Sequence, residues 1–303
     1  MSSPIAAALA QMMPPRDPRT ALPAFGALPV VARLDEITWR VIAPNPSPMT
    51  LDGTNTYLLD GGDGQAAIID PGPDDAGHLD RVVALVEELD VAVVAVLTTH
   101  HHIDHAQALL PWAARFGATA WATTPTIAQD SARLIAPDDT IDVGAIALEV
   151  VATPGHCADH VAFRTPTGAL LAGDHILGRG TSVVAYPDGD LTAYLASLRR
   201  VLDLGPDALH PGHGPELLED PGGVVRYYLE HRAFREAQVL AVVRTVPASV
   251  ATIVEHVYAD VDHRLWPAAE ASTRACLDRL VTSGTVRFDG DVVHLIGDPQ
   301  DKT

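Results

Sequence analysis

Four histidines fall within six residues, at His100, His101, His102 and His105, and the run that carries them follows an almost unbroken apolar stretch from Val91 to Leu97. Such a stretch, bounded by turn residues, fits a strand buried on both faces of a layered α/β sheet. A strand of that kind hands its chain to a loop at the sheet edge, where ligands of α/β sheets gather. The pattern H-x-H-x-D-H, running from His100 to His105 with Asp104 inside it, therefore puts imidazoles and a carboxylate in one tight turn. Borderline-soft zinc takes that mixed nitrogen and oxygen set. A His-rich tract that is only an affinity tag lies at a terminus; this one is interior.

Three further ligand candidates each follow a β-type segment: His156 in Thr153-Pro154-Gly155-His156, Asp174 in Ala172-Gly173-Asp174, and His213 in Pro211-Gly212-His213-Gly214. Glycine and proline fix tight turns that aim a single side chain. Asp70 ends the apolar segment Ala66 to Ile69, ahead of Pro71-Gly72-Pro73, where a cap after the strand is the alternative reading. The spacing of Leu79, Val82, Val83, Val86 and Leu89 predicts a helix over 77–90. Strand-like segments at 118–123, 140–153, 160–165 and 169–173 alternate with helix-like ones at 106–116 and 191–203. Beyond Pro221-Gly222-Gly223 the pattern becomes three helices, 224–246, 249–258 and 268–283, and a strand pair turning at Asp289-Gly290. Three units are expected: a loosely held leader over 1–28, a catalytic unit over 29–225 and a small C-terminal module over 226–303.

Charge narrows the partners. The 39 acidic residues against 20 basic ones give −19, a field that repels phosphate backbones and anionic lipid. No apolar run is long enough to cross a membrane. Two cysteines in no CxxC pair, and an N-terminus without a basic n-region, point to a reducing cytoplasmic setting.

H-x-H-x-D-H, TPGH, GD and PGHG in that order resemble the metallo-β-lactamase-fold hydrolase superfamily. Gly53-Thr54-Asn55-Thr56-Tyr57, Gly173-Asp174-His175-Ile176-Leu177-Gly178 and His231-Arg232-Ala233-Phe234-Arg235-Glu236, with the tail, resemble its β-lactamase-like-protein-2 subfamily over about residues 30–296. The resemblance implies an αββα sandwich with a small C-terminal winged-helix-like domain. It implies one metal at His100, His102 and His156, a second at Asp104, His105 and His213, and Asp174 bridging them. Asp70 would support the metal loop without being a ligand, and Asp104 would also orient the nucleophile as the catalytic residue. Two divalent ions, zinc or else manganese or iron, would bring a shared water from a pKa of about 15.7 toward about 7, and the resulting hydroxide would attack the substrate.

The chain departs from the resemblance at Ala106-Gln107-Ala108, where two glycines are common. His101 is expected to point away from the metals, His160 and His210 to be structural, and Cys157 to be a small buried residue. His175 reads equally as a support for the metals or as a core side chain. Arg179 could clamp an anionic group, and Asn55 and Tyr57 could line the cleft from a loop. The subfamily includes a single-strand-specific endoribonuclease, and related fungal enzymes are thioesterases on carrier-bound polyketides. In the tail, Arg274 and Arg279 face Glu270 and Asp278, and Arg287 faces Asp289 and Asp291; a nucleic-acid-reading helix and wing need an excess of cations. Hydrolysis of a small or carrier-bound ester, thioester or lactone is the first expectation, with the module packed over the cleft. Single-stranded RNA cleavage, a glyoxalase-type thioesterase and a non-catalytic binding module are the alternatives. A homo-oligomer is compatible with all of them.

Overall fold

A computed structural model describes residues 4–297; the ends of the leader and of the C-terminal module, with Lys302, lie outside the described residues. Strands β1 (Val31–Arg33), β2 (Thr38–Ile42), β3 (Asn55–Asp60), β4 (Gln65–Ile69), β5 (Ala92–Leu97), β6 (Thr119–Ala122) and β7 (Arg133–Leu134) form a seven-stranded sheet in chain order. Its first four strands pair antiparallel, and β4 to β7 pair parallel. The second sheet has the order β12-β11-β10-β9-β8, from β8 (Thr140–Val143), β9 (Ile146–Ala152), β10 (Val161–Arg164), β11 (Ala169–Gly173) and β12 (Ala208–Pro211). Helices α1 (Pro4–Leu9), α2 (Ala76–Leu89), α3 (Ile103–Ala106), α4 (Leu109–Phe116), α5 (Pro125–Ala128), α6 (Leu191–Leu204) and α7 (Pro221–Thr245) lead to α8 (Val250–Val257) and α9 (Trp266–Thr282). A three-stranded sheet, β13 (Ala248–Ser249), β15 (Val292–Leu295) and β14 (Val286–Asp289), completes the C-terminal module.

Strand alternation builds the layers. Leu58, Ile68 and Val96 pack with Val82, Leu85 and Val86 of α2 and Trp112 of α4. Their chain neighbours Leu59, Ile69 and Leu97 turn the other way, onto Leu148, Val150, Phe163 and Leu171 of the second sheet. On that sheet's far face, Val151, Leu170 and Ala172 meet α6 and α7. Both sheets are thus apolar on both faces, which forces an α-β-β-α stack. Each fully buried Leu or Ile is worth about 1.5–3 kcal/mol. The cluster on the outer face does not stop at α7: it runs through Val239 and Val242 to Ile253, Leu277, Val286 and Val293 of the C-terminal module.

Two expectations differ from the structure. The leader is docked over its described part. Ile5 is 8% exposed and joins the core cluster that includes α7, and Arg19 donates to Leu177 O (3.0 Å) and Gly180 O (2.7 Å) while lying over Tyr227 and Tyr228. Pro14, Pro15 and Pro18 stop a helix without preventing a chain from being held by side-chain contacts. The boundary placed at residue 225 falls inside α7. Pro221 occupies the first turn of that helix, a position where proline is favoured, and Asp220 caps it by accepting from Gly223 N–H at 2.8 Å. The Pro-Gly-Gly segment forms the first turn of the helix expected from residue 224.

All the candidate ligands leave the C-terminal ends of strands: the His100–His105 loop follows β5, His156 follows β9, Asp174 follows β11 and His213 follows β12. The Thr153-Pro154-Gly155-His156 turn lies directly against α6. Gly155 has φ +133°, and a Cβ there would come within 2.3 Å of the Tyr194 backbone. Gly155→Ala is therefore expected to lower stability by about 2–4 kcal/mol, read as a drop in the denaturation midpoint; an unchanged midpoint would contradict this close approach.

Candidate metal centre

Side chains from four loops converge at one edge of the sandwich. His102 Nδ1 lies 2.9 Å from His100 Nε2 and 3.0 Å from His156 Nε2. Beside them, His213 Nε2 is 3.2 Å from His105 Nε2 and 3.2 Å from Asp104 Oδ2. Asp174 faces both groups. Its Oδ1 is 3.4 Å from His105 Nε2 and from His213 Nε2, and its Oδ2 is 3.7 Å from His156 Nε2. Four-coordinate zinc with nitrogens at about 2.0–2.1 Å separates its ligand atoms by roughly 3.3 Å, so each group has the spacing of a metal's coordination shell. Asp174 Oδ1 is buried and has no hydrogen-bond partner among the described residues, which fits an oxygen whose partner is a cation.

The outer nitrogens are committed elsewhere, and this aims the inner ones. Asp70 Oδ1 accepts from Thr99 N–H (2.7 Å), and Oδ2 accepts from Thr99 Oγ1–H (2.8 Å) and His105 Nδ1–H (2.9 Å). Thr99 Oγ1 in turn accepts from His100 Nδ1–H at 2.9 Å. His156 Nδ1–H donates to Val183 O (2.6 Å) and His213 Nδ1–H to Gly53 O (3.2 Å). Fixing one ring nitrogen sets the tautomer and raises the basicity of the other. Asp70 sits at φ +52° immediately after β4, and that turn points its carboxylate at the loop following the neighbouring β5.

Electrostatics separate the two groups. Burial lowers His100 well below the ordinary histidine value and takes His102 to about 4, and neighbouring imidazoles push both the same way. At His213 burial also lowers the pKa, but the Asp174 and Asp104 carboxylates outweigh it and bring it up to about 9. Burial raises Asp104, and His105 and His213 overcome it, holding the carboxyl at about 2.

His101 turns away, with Nδ1 at 2.6 Å from Asp159 Oδ1. Cys157 is fully buried beside His100, His102 and His156, and burial drives its thiol pKa far up, so it is a neutral small side chain. His175 is buried and stacks edge-on to Tyr194. His210 is buried 3.8 Å from Asp35. His160 does more than fill space: its Nδ1–H donates to Thr153 Oγ1 (2.8 Å), and its Nε2 accepts from Asp174 N–H (3.1 Å), fixing the backbone of that carboxylate.

Asn55 and Tyr57 do not line a cleft from a loop. They lie in β3, 1% and 2% exposed, where Asn55 Nδ2 donates to Pro211 O and Gly214 O and Tyr57 Oη donates to Pro211 O. These bonds bind the first sheet to the Pro-Gly-His-Gly turn of the second. Gly212 in that turn has no room for a Cβ, which would lie 2.5 Å from Asp174 Oδ1. Arg179 donates to Pro23 O, lies over Phe25 and sits 3.9 Å from Asp52.

Sequence reasoning did not find the loop 181–183. Ser182 Oγ donates to Asp174 O (2.5 Å), Arg232 of α7 donates to Ser182 O, and Val183 holds His156. The HRAFRE motif was the one trace of it, and only the fold shows that Arg232 reaches back fifty residues.

Two face-to-face sheets with helices outside and paired His/Asp clusters at one edge define an αββα sandwich with a candidate metal centre. Residues 49–131 and 123–213 match the Metallo-beta-lactamase superfamily model, and residues 249–294 match the Beta-lactamase associated winged helix domain. A Beta-lactamase-like protein 2 homolog from Drosophila melanogaster is 33% identical over 277 residues, 86% of this chain and 93% of the relative. An atrochrysone carboxyl ACP thioesterase from Aspergillus chevalieri is 32% identical over 72% of this chain and 69% of its own length. The crystal structure of a Beta-lactamase domain protein from Burkholderia ambifaria shares the fold, with a TM-score of 0.73 at 24% identity over 95% of this chain and 98% of that one. The chain belongs to the metallo-beta-lactamase superfamily, a class of metal-dependent hydrolases, and carries its associated winged helix domain.

Asp70→Asn places an amide nitrogen where donors now converge. It is expected to weaken metal binding by about 10–100-fold in competition with a chromophoric chelator, whereas His101→Ala leaves metal content unchanged. Loss of an ion in the His101 variant would make His101 a ligand and shift the register assigned to the His100–His105 loop.

Proposed function

We propose that the site holds two divalent ions, zinc or else manganese or iron, and that the protein hydrolyses an ester, thioester or lactone on a small or carrier-bound acyl substrate. The observation that carries this reading is Asp174, one oxygen facing His105 and His213 and the other facing His156. His100, His102 and His156 would hold one ion, Asp104, His105 and His213 the second, and Asp174 would touch both. Such a pair supplies Lewis acidity and brings a water pKa toward about 7.

The chain's own residues supply direction. Among the ligand side chains, His102 and Asp104 are the more open, at 35% and 26% exposed, while His100, His105 and His213 are closed off. Substrate therefore approaches over His102 and Asp104. The Asp104 carboxylate, ionised at neutral pH, accepts a hydrogen bond from the attacking water and orients it toward the acyl carbon. His160, Thr99 and Ser182 keep the carboxylate of Asp174 and the ring of His100 in place while this happens.

The charge of −19 and the name of the Aspergillus relative favour an acyl substrate over RNA. In the module, Arg274 pairs with Glu270 at 2.8 Å and Arg279 with Glu236 at 3.1 Å, which takes those cations away from phosphate neutralisation. A filled set of ligand positions favours an enzyme over a binding module. Among the described residues no helix is long and apolar enough to cross a membrane, and we place the activity in the cytoplasm.

Asp104→Ala is expected to reduce bound metal from two ions to one and to cut hydrolysis of an acyl thioester panel by at least about 100-fold, with near-native stability. Two ions and near-wild-type turnover in that variant would sink the assignment.

A further inference from the structure

Between the catalytic sandwich and the C-terminal module lies a cavity of about 680 Å³, within the range that encloses small ligands. Its walls come from four stretches of chain: Leu22 and Phe25 of the leader, residues 47–51, residues 177–183, and the helical segment from His231 to Ser272. Ser182 and Val183, on one wall, are the residues that hold Asp174 and His156, so this one layer of residues separates the cavity from the candidate metal centre. Most of the wall is apolar, with Leu22, Leu51, Leu177, Val261 and Leu265 on it.

The charge of this wall runs against the charge of the chain. In a protein with 39 acidic and 20 basic residues, the cavity gathers Arg179, Arg232, Arg235 and Arg264 and a single carboxylate, Asp262. Asp262 is taken by Arg264 at 2.6 Å. Arg179 has Asp52 at 3.9 Å. Arg232 is 7% exposed and donates to Ser182 O; Arg235 donates to Val257 O (3.0 Å) and Gln238 Oε1 (2.9 Å). Neither has a carboxylate among these partners. Each lies over a tyrosine, Tyr194 and Tyr258 respectively, and the Nε of each is buried with no hydrogen-bond partner among the described residues. Burying a guanidinium without a counter-anion is expensive; Arg232 is buried and Arg235 half-buried. His231, on the same wall, is driven down to about 3 by burial and then by the neighbouring Arg232 and Arg235 charges.

We infer that Arg232 and Arg235 form an anion subsite in this cavity, and that the substrate is an acyl compound with an apolar body and an anionic group set back from the scissile bond. This rests on the acyl-hydrolase reading above and narrows it. The anion is either a carboxylate on the acyl portion or the phosphate of a carrier arm. Both offer a guanidinium the same charge-assisted hydrogen bonds. The subsite also accounts for the two arginines of the HRAFRE motif, since Arg232 serves the loop beneath His156 and the cavity together, and Arg235 serves the cavity.

Arg235 is the residue to test, because Arg232 also holds Ser182 beside the metal centre. The metal-loaded full chain is titrated calorimetrically with two matched pairs, pantetheine 4′-phosphate against pantetheine and octanoate against octanamide. At least one anionic member is expected to bind at least about tenfold tighter than its neutral partner. Arg235→Gln should abolish that preference with metal content unchanged, and Arg235→Lys, the control for folding, should retain part of it. The pair that shows the effect identifies the source of the anion. Equal affinities within both pairs, or a preference that survives Arg235→Gln because the anion sits on the metals, would overturn the proposal. So would Arg235-dependent binding and cleavage of a single-stranded RNA oligomer, which would make the subsite a phosphodiester track. Thioester hydrolysis measured in parallel separates the two ideas. Anion preference without hydrolysis defeats the hydrolase reading and leaves the subsite standing; hydrolysis without preference does the reverse.

Discussion

Everything in this molecule is arranged around the cost of holding five imidazoles and two carboxylates within hydrogen-bond range of one another and mostly out of water. Such a cluster suits a cation that completes it, and it requires that no ring be free to rotate into a neighbour. The chain meets the second condition with a short relay, in which Asp70 grips Thr99 and His105 while Thr99 grips His100. It meets the topological requirement by bringing the C-terminal ends of β5, β9, β11 and β12 to the same edge. Asn55 and Tyr57 hold the two sheets in register there through Pro211.

The second dependence runs from the C-terminal side. α7 reaches the loop 181–183 through Arg232, and that loop carries the carbonyl that orients His156. The helix that lines the cavity is therefore bonded to the loop that orients His156, and the cavity wall and the candidate metal centre share one short stretch of backbone.

Much of this was legible in the residues alone. The apolar strand emptying into H-x-H-x-D-H, the three glycine-bearing turns and the helix over 77–90 are local signals, because strand period, turn chemistry and ligand spacing are written in consecutive residues. What escaped is contact between distant segments. Nothing near His160 announces that its Nε2 will meet the amide of Asp174, and no pattern in the leader reveals that Arg19 will find the carbonyls of Leu177 and Gly180. The prolines of the leader misled because they report where a helix cannot continue and are silent on whether the chain beyond is docked.

The apolar cluster that runs from Val151 and Leu170 through α6 and α7 to Leu277 and Val293 has a consequence for how independent the module can be. A module joined by a thin linker can be lost or exchanged at little cost, because its partner keeps a closed surface. Here removal of the module would strip the outer layer from one side of the second sheet's helices. The sandwich and its appendage thus share one buried layer, so a substitution at Val239 or Val242 is felt on both sides of it.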